Sequence, residues 1–221
     1  MTYLIKAELK LKWRKLLMSI TLLSSFVLIL FVLDDLKSGS LAQLAEPNFC
    51  LFEIQLFTAI AVNFFPIHPT ELEYVRLHQR QNWVLARALW DFTIAGSMSF
   101  IAVLIGAIFL LMHKIGSSLI LFVLVWLMLW LNALIFVVVI EMIQLFLGKR
   151  SFLPLSGVCG IGFWIGSQSL FLRPTILKLT GTAYFLTKNY PALASYVLIA
   201  CGSIILSWLI QLQVHEREEI L

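Results

Sequence analysis

Residues 119–140 read LILFVLVWLMLWLNALIFVVVI, and this run decides the fold class. Apart from Asn132 and two tryptophans, every side chain in it is aliphatic, phenyl, thioether or methyl. As a helix rising about 1.5 Å per residue, the run covers about 33 Å, enough to cross a hydrocarbon core of about 30 Å. A helix is also the form in which a single segment satisfies its own backbone donors and acceptors away from water.

Outward from this run the pattern repeats. Apolar stretches predict crossings at about 16–34, 49–67, 90–112, 118–141, 152–172 and 191–211, making one transmembrane domain over 1–221. The second is interrupted by Glu53, Gln55 and Asn63, and Pro66 and Pro69 set its end. With 61% hydrophobic and 13% charged residues, the chain cannot supply the polar exterior of a soluble fold, and six crossings leave no room for a soluble catalytic domain. The expected architecture is an all-α integral membrane protein of about six transmembrane helices. Among the three cysteines, Cys159 and Cys201 fall within apolar runs and read as small hydrophobes, and no disulfide framework is evident.

The flanks orient these spans. Ile5, Leu9, Trp13 and Leu16 form one apolar line at helical spacing and Lys6, Lys10 and Arg14 a basic one. That pattern predicts an N-terminal amphipathic helix lying in the interface, or else an extension of the first span with its positive flank. Leu16 to Leu33 resembles a signal sequence, but Asp34 and Asp35 follow without a small-residue cleavage site, so a retained helix is expected. Of the sixteen Lys and Arg residues, eleven fall on the side holding both termini and the second and fourth loops, and five on the other. The positive-inside tendency therefore predicts cytosolic termini, and the basic clusters point to anionic headgroups rather than nucleic acid.

The second loop, 68–89, is the most polar inner segment. Thr70 and Glu73 have capping-box spacing, Glu71 and Glu73 suit a helix N-terminus, and Glu73, Arg76 and Arg80 share one helical face. Gln81 and Asn82 predict a break before the third span. A surface helix of this kind serves as a docking element or as a charged turn anchoring two helices.

Within the spans, Glu53 and Glu141 stand out, because a carboxylate in lipid must face a helix interface, a wet cavity or the headgroups. Each is a candidate for a polar pathway or for a structural interhelical contact. Asp91 is expected to open the third helix, stabilised by that helix's N-terminus. Gly162 and Gly166, four apart in the fifth span, permit close helix packing. The segment 173–190 predicts two short helices dipping against the outer surface or an amphipathic loop. The sequence contains no phosphate-binding GxxxxGK[ST] loop. His215 and Glu216 lack the second histidine of HExxH, and neither a metal cluster nor a nucleophile with a nearby base is evident, so no catalytic residue is expected.

The layout resembles the permease subunit of an ABC-2-type ABC transporter: an amphipathic opening segment, six spans, and the loop ELEYVRLHQRQNWVLARALWDF from Glu71 to Phe92. The resemblance implies that Glu71, Glu73 and Arg76 match coupling-helix positions docking a separate ATPase, with Arg80 on the same face and Arg87 matching a basic residue before the third span. Where some members carry a glycine-containing acidic stretch, this chain has Leu72, Glu73, Tyr74 and Val75. It further implies export of a hydrophobic or amphipathic substrate, two permease copies paired as a homodimer, ATP and Mg2+ held by the partner rather than this chain, and the cytoplasmic membrane of a prokaryote. A membrane enzyme acting on a lipid, and a different transporter or channel subunit, are the alternative readings.

Overall fold

The computed structural model describes residues 17–18, 20–25, 54–62, 80–112, 118–147, 152–169, 171–179, 181, 184 and 187–217. These residues form an all-α, multi-pass bundle. Helices α1 (Ile54–Val62), α2 (Arg80–Met112), α3 (Leu119–Leu147), α4 (Phe152–Gln168), α5 (Arg173–Leu179) and α6 (Tyr190–Arg217) follow in order, and residues within 17–25 are helical too.

Among the described residues, three segments are long and apolar enough to cross a membrane: Arg87–Met112 in α2, Leu119–Gln144 in α3 and Pro191–Val214 in α6. Three spanning helices are thus found among the described residues where six were expected over the chain; the crossings expected at 16–34 and 49–67 lie largely outside those residues. Helix α4, at 17 residues, falls below the roughly 20 of a typical crossing. The amphipathic helix expected before residue 16 lies outside the described residues.

Helix α2 departs most from expectation. It is already helical at Arg80, ten residues before Trp90, and runs unbroken through Gln81 and Asn82 to Met112. Burial explains the extension: Val84, Arg87, Ala88 and Asp91 all lose their solvent exposure to neighbouring helices, and tertiary packing overrides the weak local preference for a break. Asp91 is consequently inside the helix rather than at its start.

Helices α2 and α3 pack antiparallel, and an aromatic ladder fixes their register. Trp126 Nε1 donates to the Gly96 carbonyl and Trp130 Nε1 to the Phe92 carbonyl, each at 3.1 Å. The two indoles stack with centroids 5.5 Å apart, and Phe92 meets Trp130 edge-on at 4.5 Å. Gly96 makes this approach possible, since a Cβ there would lie 3.3 Å from Trp130 Nε1. Buried Met98, Ala102, Val103, Leu129, Phe136 and Val137 form the adjoining core.

Helix α6 runs parallel to α3, as the pairs Asn132–Tyr196 and Glu141–Gln211 require. Its other face exposes Leu198, Ile205, Leu206 and Leu209, apolar side chains suited to lipid. Cys201 lies on that exposed face and not in the packed role expected of it.

Candidate functional site

Two polar features are built into this apolar bundle, one toward each end. The first centres on Arg87. Its side chain is 2% exposed and its Nε donates to Glu141 Oε1 at 2.5 Å, with Nη2 2.5 Å from the same oxygen. Asp91, one helical turn along α2 and fully buried, brings Oδ1 within 3.4 Å of Arg87 Nε. Gln211 of α6 donates to Glu141 Oε2 at 3.3 Å, and Arg87 Nη1 reaches the Val62 carbonyl at the end of α1 at 3.4 Å. One guanidinium thus serves two carboxylates and ties α1, α2 and α3, and Gln211 on Glu141 adds α6 at the same level. Leaving any of these charges unmatched in an apolar surround is costly, so the members of the cluster depend on one another.

The second feature is a cavity of about 710 Å3, within the range of a small-ligand pocket. Gln55 of α1, Asn132 and Phe136 of α3, and Tyr196 of α6 line it, together with Thr175 and Lys178 of α5. Along α6 it extends from Ala192 to Ser203, about 16 Å of helix. Apolar walls dominate, with Ile135, Val139 and Ile199 among them. Tyr196 Oη donates to Asn132 Oδ1 at 3.0 Å, and Asn132 Nδ2 donates to the Met128 carbonyl at 2.9 Å, so the polar belt is anchored to α3.

The polypeptide beyond α5 supports this belt. Gly181 has a positive φ of 70°, and a Cβ there would come within 2.5 Å of the Tyr196 ring. A glycine is required on both counts, for the left-handed backbone and for the close approach. Gly181 is thereby seated on the aromatic side chain that closes one wall of the cavity.

Of the residues singled out from sequence, Glu53, Glu71, Glu73 and Arg76 lie outside the described residues. Arg80 is the first residue of α2, and Arg87, matched to a docking surface, has its side chain buried against Glu141. Glu141, expected either in a polar pathway or at an interhelical contact, lies against Arg87 of α2 and Gln211 of α6. Gly162 is exposed and a Cβ there meets nothing within 4 Å, so it packs against no described helix, while Gly166 is buried. Among the described residues, no cluster of three or more His, Cys, Asp or Glu side chains could hold a metal.

Sequence reasoning missed the partnership of Arg87 with Glu141, and it missed the cavity. Gln55 and Asn132 were visible as polar interruptions of apolar runs, which is the signal that locates the cavity's belt. Lys178 and Tyr196 carried no such mark. Compared with protein-family models, with curated proteins and with solved structures, the chain matches none.

Proposed function

We propose that this chain is the membrane-spanning subunit of a transporter that moves a hydrophobic or amphipathic substrate, driven by a separate ATPase. The observation carrying this reading is the cavity of about 710 Å3 among helices of a multi-pass bundle, apolar along its walls and polar at one belt. A half-open compartment of that chemistry suits a guest that prefers lipid to water yet must be recognised by hydrogen bonds.

The Arg87 cluster gives the same reading a mechanical basis. It joins α1, α2, α3 and α6 at one level, whereas the cavity lies among α1, α3, α5 and α6 farther along the same helices. Breaking or re-pairing the cluster would let these helices part at that level, which is the discrete two-state element that alternating access needs. Helix α2 is described from Arg80, four residues after Arg76 in the segment that also holds Glu71 and Glu73. A force applied there by a docked ATPase would pass along one continuous helix to Arg87, two turns on. ATP and Mg2+ belong to the partner in this scheme, and two copies of the chain pair across the membrane with cytosolic termini.

The test is copurification. The chain should bring down a P-loop ATPase, and changing Glu73 and Arg76 together to alanine should abolish the association while expression is kept. Transport that persists with no ATPase present would overturn the reading.

A further inference from the structure

The cavity has the form of a groove. Phe136 of α3 and Ala200 of α6 line it and are buried, whereas Val139 and Ile199, which line it from the same two helices, are 42% and 71% exposed. Two helices thus raise apolar rims beside a buried apolar floor. Ile199 shares its helix face with exposed Leu206, seven residues on, so the groove opens sideways onto the apolar surface that meets lipid.

Length and charge together select an occupant. On α6 the groove runs from Ala192 to Ser203, and the apolar span of that helix from Pro191 to Val214. The groove therefore begins where the span begins and ends near its middle. Its roughly 16 Å of helix matches one leaflet of a hydrocarbon core about 30 Å thick. The shallow end carries the one charged residue among the described lining, Lys178, with Thr175 three residues before it on α5. The Lys178 carbonyl accepts from Gly181 N at 3.2 Å, and Gly181 abuts the Tyr196 ring, which fixes this end of α5 beside the first turns of α6. Lys178 is exposed, as are Arg173 and Lys188 in the same stretch between α4 and α6, and residues 151–215 contain no Asp or Glu. A surface one leaflet deep, apolar along its length and cationic where the span starts, matches an anionic lipid lying along the helices.

We propose that the groove seats an anionic phospholipid taken sideways from the bilayer, one acyl chain lying between the rims of Val139 and Ile199 and the phosphate meeting Lys178 and Thr175. The ammonium supplies charge and the hydroxyl a donor. A zwitterionic lipid of equal chain length keeps the apolar fit and lacks the net attraction to the cation, so selectivity resides at the shallow end. This assignment rests on the transporter reading only for whether the seated lipid is then moved.

The experiment places the full chain in phosphatidylcholine nanodiscs with a trace of phosphatidylglycerol or phosphatidylcholine that carries a photoreactive diazirine at mid-chain. After illumination, peptide mass spectrometry compares adducts at Val139 and Ile199 with adducts at Ile108, Leu111 and Leu198, exposed apolar side chains outside the groove. Groove adducts from the phosphatidylglycerol probe should exceed those from the phosphatidylcholine probe about 2- to 5-fold, the worth of one exposed charge pairing at a membrane surface. At the outside positions the ratio should be about one. Lys178→Gln, a change on an exposed side chain, should bring the groove ratio to about one while phosphatidylcholine labelling stays, and Lys178→Arg should keep the preference. A groove ratio no different from the outside positions means bulk lipid only and would overturn the assignment, as would a ratio unchanged in Lys178→Gln. A selective groove in a chain that copurifies with no ATPase would remove the transporter reading and keep this one. Copurification of an ATPase with no selectivity at the groove would do the opposite.

Discussion

Replacing Arg87 by alanine should destabilise the bundle more than replacing Glu141 by glutamine, and the difference follows from counting charges at the cluster. Arg87 is the cation facing both Asp91, at 3.4 Å, and Glu141, at 2.5 Å, all three side chains being buried. Its removal leaves two carboxylates in an apolar surround and strips the Val62 carbonyl of a donor. Breaking a buried pair from one side costs about 3–5 kcal/mol. Glu141→Gln instead leaves one guanidinium opposite one carboxylate, and it keeps an oxygen that can accept from Arg87. The loss is then one charge-assisted hydrogen bond's worth, about 1.5–3 kcal/mol. The gap of roughly 1.5–2 kcal/mol amounts to a 10- to 30-fold difference in the unfolding constant. Reversible unfolding in mixed maltoside and dodecyl sulfate micelles, followed by tryptophan emission, reads both variants on one scale. Equal losses, or losses under 1 kcal/mol in each, would refute the idea that Arg87 is the shared counter-ion of this cluster.

Two further substitutions probe the cavity wall. Gly181→Ala should lower stability by about 1–3 kcal/mol, because the new Cβ enters a positive-φ backbone and collides with the Tyr196 ring; a thermal scan checks it, and an unchanged midpoint would mean that the ring does not pack there. Tyr196→Phe should cost about 0.5–1.5 kcal/mol by freeing Asn132 Oδ1 of its donor, and the same change made in an Asn132→Leu background should cost distinctly less in a double-mutant cycle.

The parts of the fold that follow from composition were legible in the sequence. The starts of α3 and α6 fall within a residue of the expected limits, because a long run of Leu, Val, Ile and Phe leaves a helix little choice once water is excluded, whereas α3 runs on past the expected 141 to Leu147. The start of α2 was not legible. Arg87 and Asp91 look like the charged flank of a span, and only the approach of Glu141, 54 residues away, turns them into an interior cluster. The cavity has the same character, since Asn132 and Tyr196 are 64 residues apart and neither implies the other. Local chemistry sets where helices are; which polar groups they share is a property of the pairing.

The indole contacts between α2 and α3 bear on how such a molecule could move. Trp126 and Trp130 are one turn apart and so are the carbonyls that receive them, Gly96 and Phe92, which makes the contact a key with two teeth. A slip of one turn that brought Trp126 opposite Phe100 would also take Trp130 off Phe92 and break both edge-on ring contacts that Phe92 and Phe100 make with the stack. The hairpin of α2 and α3 is therefore a single lever arm with no sliding joint inside it. Motion falls to the seams where α1 and α6 lean against that arm, and those are the seams spanned by Arg87 at one level and by Tyr196 at another.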